Sequence, residues 1–165
     1  MFRSVPLPGD VAGGLWLHSM PGRREPLEQA WAQLRIHGIE AIVCLAASDE
    51  VRAKSPSYAA ALDATTVPCA VEPFPISDFG VPDDREAFWS LASKIATQLK
   101  AGRRVLIHCG AGIGRTGTLA TCVLLGLGQT EVQAQQAVSM TGSHPETPEQ
   151  RALVSWCAAR ARGAK

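Results

Sequence analysis

At 165 residues the chain is long enough for one domain with a core of its own, and 46% hydrophobic residues exclude a disordered segment. With 16 basic and 15 acidic residues, a net charge of +1 and no block of like charge, neither nucleic acid nor a membrane surface is an expected partner. No run of 18 apolar residues and no signal-like start occurs, so the expectation is a cytoplasmic monomer, one domain over 1–165 with its core at about 10–160.

In chain order, Leu15-Trp16-Leu17 predicts a short strand that ends at the turn Met20-Pro21-Gly22. Leu27, Ala30, Trp31 and Leu34 recur at helical spacing, and Gly38 stops that helix. Ile39 to Ala46 is an apolar strand apart from Glu40. Residues 49–64 predict a weaker helical stretch interrupted by Pro56. Val67 to Ile76 is strand-like, but prolines at 68, 73 and 75 assign it to an edge or to a chain leaving the sheet. Phe88, Leu91, Ala92, Ile95 and Leu99 mark the strongest amphipathic helix, closed by Gly102. Its expected N-cap is Asp83, which begins Asp-x-x-Glu with Glu86, and Asp84 falls in the first turn. A strand at 104–108 and a nearly all-apolar helix to about Leu127 follow, and helices begin near Thr130 and Thr147, each with a Thr-x-x-Gln capping box. Strands alternating with helices predict an α/β sandwich, a central and largely parallel sheet of four to five strands flanked by helices. Trp16, Trp31, Trp89 and Trp156 are expected in its core.

The five cysteines, Cys44, Cys69, Cys109, Cys122 and Cys157, are scattered and form no Cys-x-x-Cys pair, so no metal site is expected and the thiols read as free. One of them stands apart. The strand Val105-Leu106-Ile107 leads through His108 into Cys109, then Gly110, Ala111, Gly112, Ile113 and Gly114, then Arg115, Thr116 and a helix. Glycines let backbone N–H groups turn inward around an anion, and the helix start adds its positive end at the same point. A cysteine in that setting favours its thiolate form. Nucleophile and anion site coincide, and a phosphate or sulfate ion suits the cradle. Arg115 would clamp phosphoryl oxygens with its planar fork. Thr116 would donate its hydroxyl to the sulfur, with helix capping as the competing role. Of the carboxyls in the Pro75–Asp84 segment, Asp78 has no capping duty and lies between prolines with a glycine two positions on, as a closing flap would; it is the expected general acid.

The run 108–116 resembles the Cys-x5-Arg-Ser/Thr signature of the protein tyrosine phosphatase superfamily. The Asp78-Phe79-Gly80 flap and the Gly112–Gly117 loop are most similar to compact dual-specificity phosphatases, including the kinase-associated phosphatase group. The resemblance implies a phosphatase fold and hydrolysis through a cysteinyl-phosphate without metal or organic cofactor. Its implied substrates are proteins or peptides carrying phosphotyrosine, extending to phosphoserine and phosphothreonine. It also implies that Asp78, 31 residues before Cys109, is the acid, and that His108 orders the loop. By the same resemblance the Glu146–Gln150 segment would place Gln150 near the attacking water, a role that competes with closing a capping box. Cys44, on a strand expected beside that of Cys109, is a candidate protective thiol or ordinary core. The uncharged residues 110–114 argue against a phosphoinositide or inositol phosphate phosphatase. Two further functions compete with protein phosphatase activity: a phosphopeptide-binding module without chemistry, and a sulfur or arsenate enzyme.

Overall fold

The computed structural model describes residues 1–164. Its strands are β1 (Arg3–Ser4), β2 (Gly14–His18), β3 (Ala41–Cys44), β4 (Ala70–Pro73) and β5 (Arg104–His108). The helices are α1 (Leu27–His37), α2 (Ser48–Lys54), α3 (Pro56–Asp63), α4 (Arg85–Lys100), α5 (Gly114–Gly126), α6 (Glu131–Ser139) and α7 (Pro148–Gly163). The sheet runs β1-β2-β5-β3-β4; β1 is antiparallel to β2, and the other pairings are parallel. This is the α/β sandwich with a largely parallel sheet that the alternation of elements predicts.

Side-chain alternation along the strands divides the core. Val105 and Ile107 of β5, with Leu15, Leu17 and Val43, pack with Phe88, Ile95 and Leu99 of α4, Leu119 and Val123 of α5, and Val154 of α7. Leu106 and Ile42 pack with Leu34 of α1, while Cys44 joins Met20, Val51 and Tyr58 from the α2–α3 side. Helix α5 is buried from Gly114 to Leu125; the hydroxyls of Thr118 and Thr121 are satisfied within it, donating to Gly114 O and Gly117 O at 2.7 Å each. β5 is therefore central, flanked by β2 and β3 and covered on both faces, and the loop that follows it leaves from the C-terminal end of the parallel strands, the usual place for a ligand in such a sheet.

Several boundaries differ from expectation. The N-cap of α4 is Asp84, whose Oδ1 accepts the Ala87 N–H at 3.0 Å. The helix starts one residue later than the Asp83 box would place it, at Arg85. The 49–64 stretch resolves into two helices because Pro56 begins α3, with Ser55 as its cap. The proline-broken segment keeps only four residues of strand, at the edge. The two-residue β1 had no apolar pattern to reveal it. Both Thr-x-x-Gln capping boxes form as expected. The four tryptophans are half-buried at the margins of the core clusters, and Trp156 lies under the guanidinium groups of Arg85 and Arg160.

Candidate active site

Residues 109–113 join β5 to α5, and four of their carbonyl groups are held by the surrounding structure. Cys109 O accepts from His108 Nδ1 (3.0 Å), and Gly110 O accepts from the Met20 N–H (3.1 Å). Gly112 O accepts from Arg3 Nη2 (2.6 Å) and Ser143 Oγ (2.7 Å). Ile113 O accepts from the N–H groups of Gly117 (2.8 Å) and His144 (3.2 Å). These four oxygens are tied to the surrounding structure, and on the concave side the Gly112 N–H reaches Cys109 Sγ at 3.2 Å. Gly112 has φ +74°, and a Cβ there would run into the His18 backbone, so both conformation and close approach require glycine. Cys109 is 2% exposed, at the floor of the loop.

His108 is fully buried and neutral, its pKa lowered to about 4 chiefly by burial. Since Nδ1 donates to the Cys109 carbonyl, Nε2 accepts, and Tyr58 Oη supplies the proton at 3.0 Å. The ring is thus a fixed strut between α3 and the loop.

Arg115, 2% exposed at the first turn of α5, is met by a residue the sequence did not point to. Glu50, from the first turn of α2, accepts from Nη1 (2.8 Å) and Nη2 (2.9 Å), a two-pronged ion pair. Ile76 O accepts a second bond from Nη1 (2.8 Å), and Asp78 Oδ1 a second from Nη2 (2.9 Å). The Arg115 hydrogen bonds hold the Glu50 carboxyl down at about 2 despite its burial, with help from Lys54 at 2.7 Å. Burial alone would lower Arg115, but the Glu50 hydrogen bonds together with the neighbouring negative charges more than offset it, and the net direction is upward. Lys54 also approaches Asp78, at 3.5 Å.

The structure brings the sequence-predicted residues together, with differences in detail. Cys109, Ala111, Gly114, Arg115 and Asp78 line one cleft of about 180 Å³, together with Arg23, Lys54, Phe79 and Glu146. The Thr116 hydroxyl is buried without a hydrogen-bond partner among the described residues, so the expected bond to the sulfur is not formed. Gln150 closes the α7 capping box and also reaches the flap. Its Oε1 accepts from the N–H groups of Glu146 (2.7 Å) and Thr147 (3.4 Å), and its Nε2 donates to Gly80 O (3.1 Å). Cys44 Sγ faces the Ala46 carbonyl at 3.5 Å in the cluster with Tyr58, whereas Cys109 packs with Val43 and Leu45, and both thiols are free. A larger cavity of about 460 Å³ between β4 and the α2–α3 side holds Cys44 and Cys69 but none of the loop residues.

A family model described as "Polymorphic toxin system, DSP-PTPase phosphatase" (Tc-R-P) matches residues 18–129, from the end of β2 to just past α5. The chain belongs to this phosphatase family. Cyclin-dependent kinase inhibitor 3 of Rattus norvegicus is 42% identical over 64 residues, which cover 39% of this chain and 29% of that protein. The match thus spans less than a third of that relative's length. Among solved structures, kinase associated phosphatase with its catalytic-site cysteine replaced by serine superposes with a TM-score of 0.82 at 22% identity, over 98% of this chain and 96% of that one. Tk-PTP in its active form gives 0.71 at 25% identity, over 96% and 97%. The DSP-PTPase fold therefore extends along nearly the whole chain. No helix among the described residues is long and apolar enough to cross a membrane.

Proposed function

We propose that the chain is a metal-independent phosphomonoester hydrolase acting on phosphorylated protein or peptide, by way of a cysteinyl-phosphate. The observation that carries this reading is the position of Cys109 Sγ under the Gly112 N–H, at the floor of a cleft lined by both Arg115 and Asp78. In the first step Cys109 Sγ attacks phosphorus, an S–P bond forms, and the P–O bond to the leaving group breaks. The loop amides and Arg115 hold the phosphoryl oxygens as charge redistributes, and Asp78 gives the leaving oxygen its proton. In the second step water attacks phosphorus and Asp78 takes its proton. The S–P bond breaks, and phosphate leaves. His108 and Glu50 act as positioning residues, for the loop and for Arg115. Gln150 holds the flap through Gly80, and in that capacity it keeps Asp78 over the cleft. The loop of held carbonyls and the uncharged residues 110–114 support a site for one phosphoryl group, as on phosphotyrosine.

The test is hydrolysis of p-nitrophenyl phosphate. Wild-type protein should release nitrophenol in the presence of a metal chelator, and Cys109→Ser should abolish turnover while still binding a phosphate ester. Ester binding by wild type without turnover would instead make the chain a phosphopeptide-binding module.

A further inference from the structure

The cations that line the cleft are not equivalent. Arg115 is matched by Glu50 and Asp78, and Lys54 by the same two carboxylates. Arg23 also lines the cleft, half-exposed, and makes no ion pair or side-chain hydrogen bond among the described residues. Glu146 lines the cleft too, yet it is not within ion-pair distance of Arg23.

The backbone that carries Arg23 is fixed to the loop. Met20-Pro21-Gly22-Arg23 closes a turn in which the Arg23 N–H donates to Met20 O at 3.1 Å, with proline second and glycine third at φ +74°. The Met20 N–H donates to Gly110 O (3.1 Å), and Ser55 Oγ donates to Pro21 O (2.8 Å). Glu25 secures the far side, accepting from the Gly22 N–H (3.3 Å) and pairing with His18 Nε2 (3.0 Å). A turn anchored at the loop, at α3 and at β2 thus holds an unmatched guanidinium at the cleft. An arginine in such a place is suited to a carboxylate or phosphate arriving with the ligand.

We infer that Arg23 is a specificity residue that reads an acidic side chain flanking the phosphorylated residue of a peptide substrate. This rests on the phosphatase reading above and adds the sequence context of its substrate. A peptide is favoured over a phosphorylated polyol for two reasons. Residues 110–114 place no second charge in the loop itself, and the exposed Phe79 ring, which lines the same cleft, offers apolar contact to a neighbouring residue.

The experiment compares three phosphotyrosine peptides of equal length whose flanking residues are Glu, Ala or Lys, with wild-type protein and Arg23→Gln. The readout is the ratio of kcat/KM for the Glu peptide to that for the Ala peptide. Being a ratio within one protein, it is unaffected by partial loss of folded enzyme. Wild type should favour the Glu peptide about fivefold, the upper range for an exposed ion pair, with the Lys peptide slowest. In Arg23→Gln the ratio should fall to about one, and Arg23→Lys should keep part of the preference. If the variant keeps the wild-type ratio, or wild type shows no preference, Arg23 does not read the flank and the inference fails while the phosphatase reading stands. If Arg23→Gln leaves the peptide ratio intact but weakens inhibition by inositol bisphosphate relative to inositol monophosphate, the residue reads a polyol and the inference likewise fails. Absence of turnover on every peptide and on p-nitrophenyl phosphate would instead overturn the phosphatase reading.

Discussion

Replacing Glu50 by glutamine keeps the shape of the side chain and removes the charge that holds Arg115. A carboxyl held at about 2 rather than 4.5 corresponds to roughly 3 kcal/mol, at about 1.36 kcal/mol per pH unit. The Glu50 side chain is 15% exposed and Arg115 keeps Asp78 and Ile76, so screening and the remaining partners reduce the loss to about 2 kcal/mol. For a domain of this length that is a melting temperature lower by about 4–8 °C. Without its two-pronged partner Arg115 loses its orientation, and kcat/KM on p-nitrophenyl phosphate should fall about 10²-fold. The pH dependence separates charge from shape. Glu50 titrates lower in the folded than in the unfolded chain, so its stabilisation is complete above about pH 4.5 and is lost as pH falls towards 2. The difference in urea midpoint between wild type and Glu50→Gln should therefore shrink across that window. A variant that melts within about 1 °C of wild type at pH 7 and hydrolyses the ester normally would refute the argument.

Asp78→Ala should slow kcat/KM on an alkyl phosphate by about 10²–10⁴-fold and on p-nitrophenyl phosphate by much less, because nitrophenolate leaves without a proton; equal losses on both esters would remove Asp78 as the acid. Tyr58→Phe withdraws the proton offered to His108 Nε2 inside a dry pocket, so the urea midpoint should drop by the equivalent of about 1–2 kcal/mol with the slope unchanged. A wild-type midpoint would mean that this hydrogen bond contributes nothing to stability. Gly112→Ala forces a side chain into the His18 backbone at a positive φ, at a cost of about 2 kcal/mol or more, and it should abolish the rise in melting temperature given by inorganic phosphate. Retained protection by phosphate would show that the loop tolerates the Cβ.

What the sequence made legible is what is local. β5, the loop and the start of α5 lie within about a dozen consecutive residues, so nucleophile, cradle and Arg115 could be read from spacing alone, and apolar runs sufficed for β2 and β3. The supports of the site are not local. Glu50 reaches Arg115 across 65 positions, Tyr58 reaches His108 across 50, and Arg3 reaches Gly112 across 109. None stands in a pattern that marks it, and the helical stretch holding Glu50 and Tyr58 is weakly periodic. One signal was present nonetheless. Once β3 is placed beside β5 in a parallel sheet, whatever follows β3 must start at the same end as the loop, which singles out the acids of the first turn of α2. The Asp83 misplacement is of another kind, a shift of one residue between two adjacent aspartates: Asp83 completes the Asp-x-x-Glu pattern, yet Asp84 is the residue that accepts from the Ala87 N–H.

The donors of Arg115 connect the flap to the chemistry proposed for it. Nη1 is committed to Glu50 and Ile76, and Nη2 to Glu50 and Asp78, which leaves Nε–H as the donor without a partner among the described residues. A phosphoryl group gripped at two oxygens needs Nε and one Nη2 hydrogen, and the latter is the one that Asp78 now accepts. Glu50 and Ile76 are bound from the far side through α2 and through the chain leaving β4, so the exchangeable partner is Asp78, half-exposed on the flap. Substrate would then take the place of a carboxylate on Arg115 and free that carboxylate beside the leaving oxygen. Lys54 and the Gln150–Gly80 bond keep the flap in position during the exchange. In this reading Asp78 covers the anion site until a phosphoryl group arrives; the arrival frees its carboxylate from Arg115, and the carboxylate then takes up a proton from solvent and passes it to the leaving oxygen.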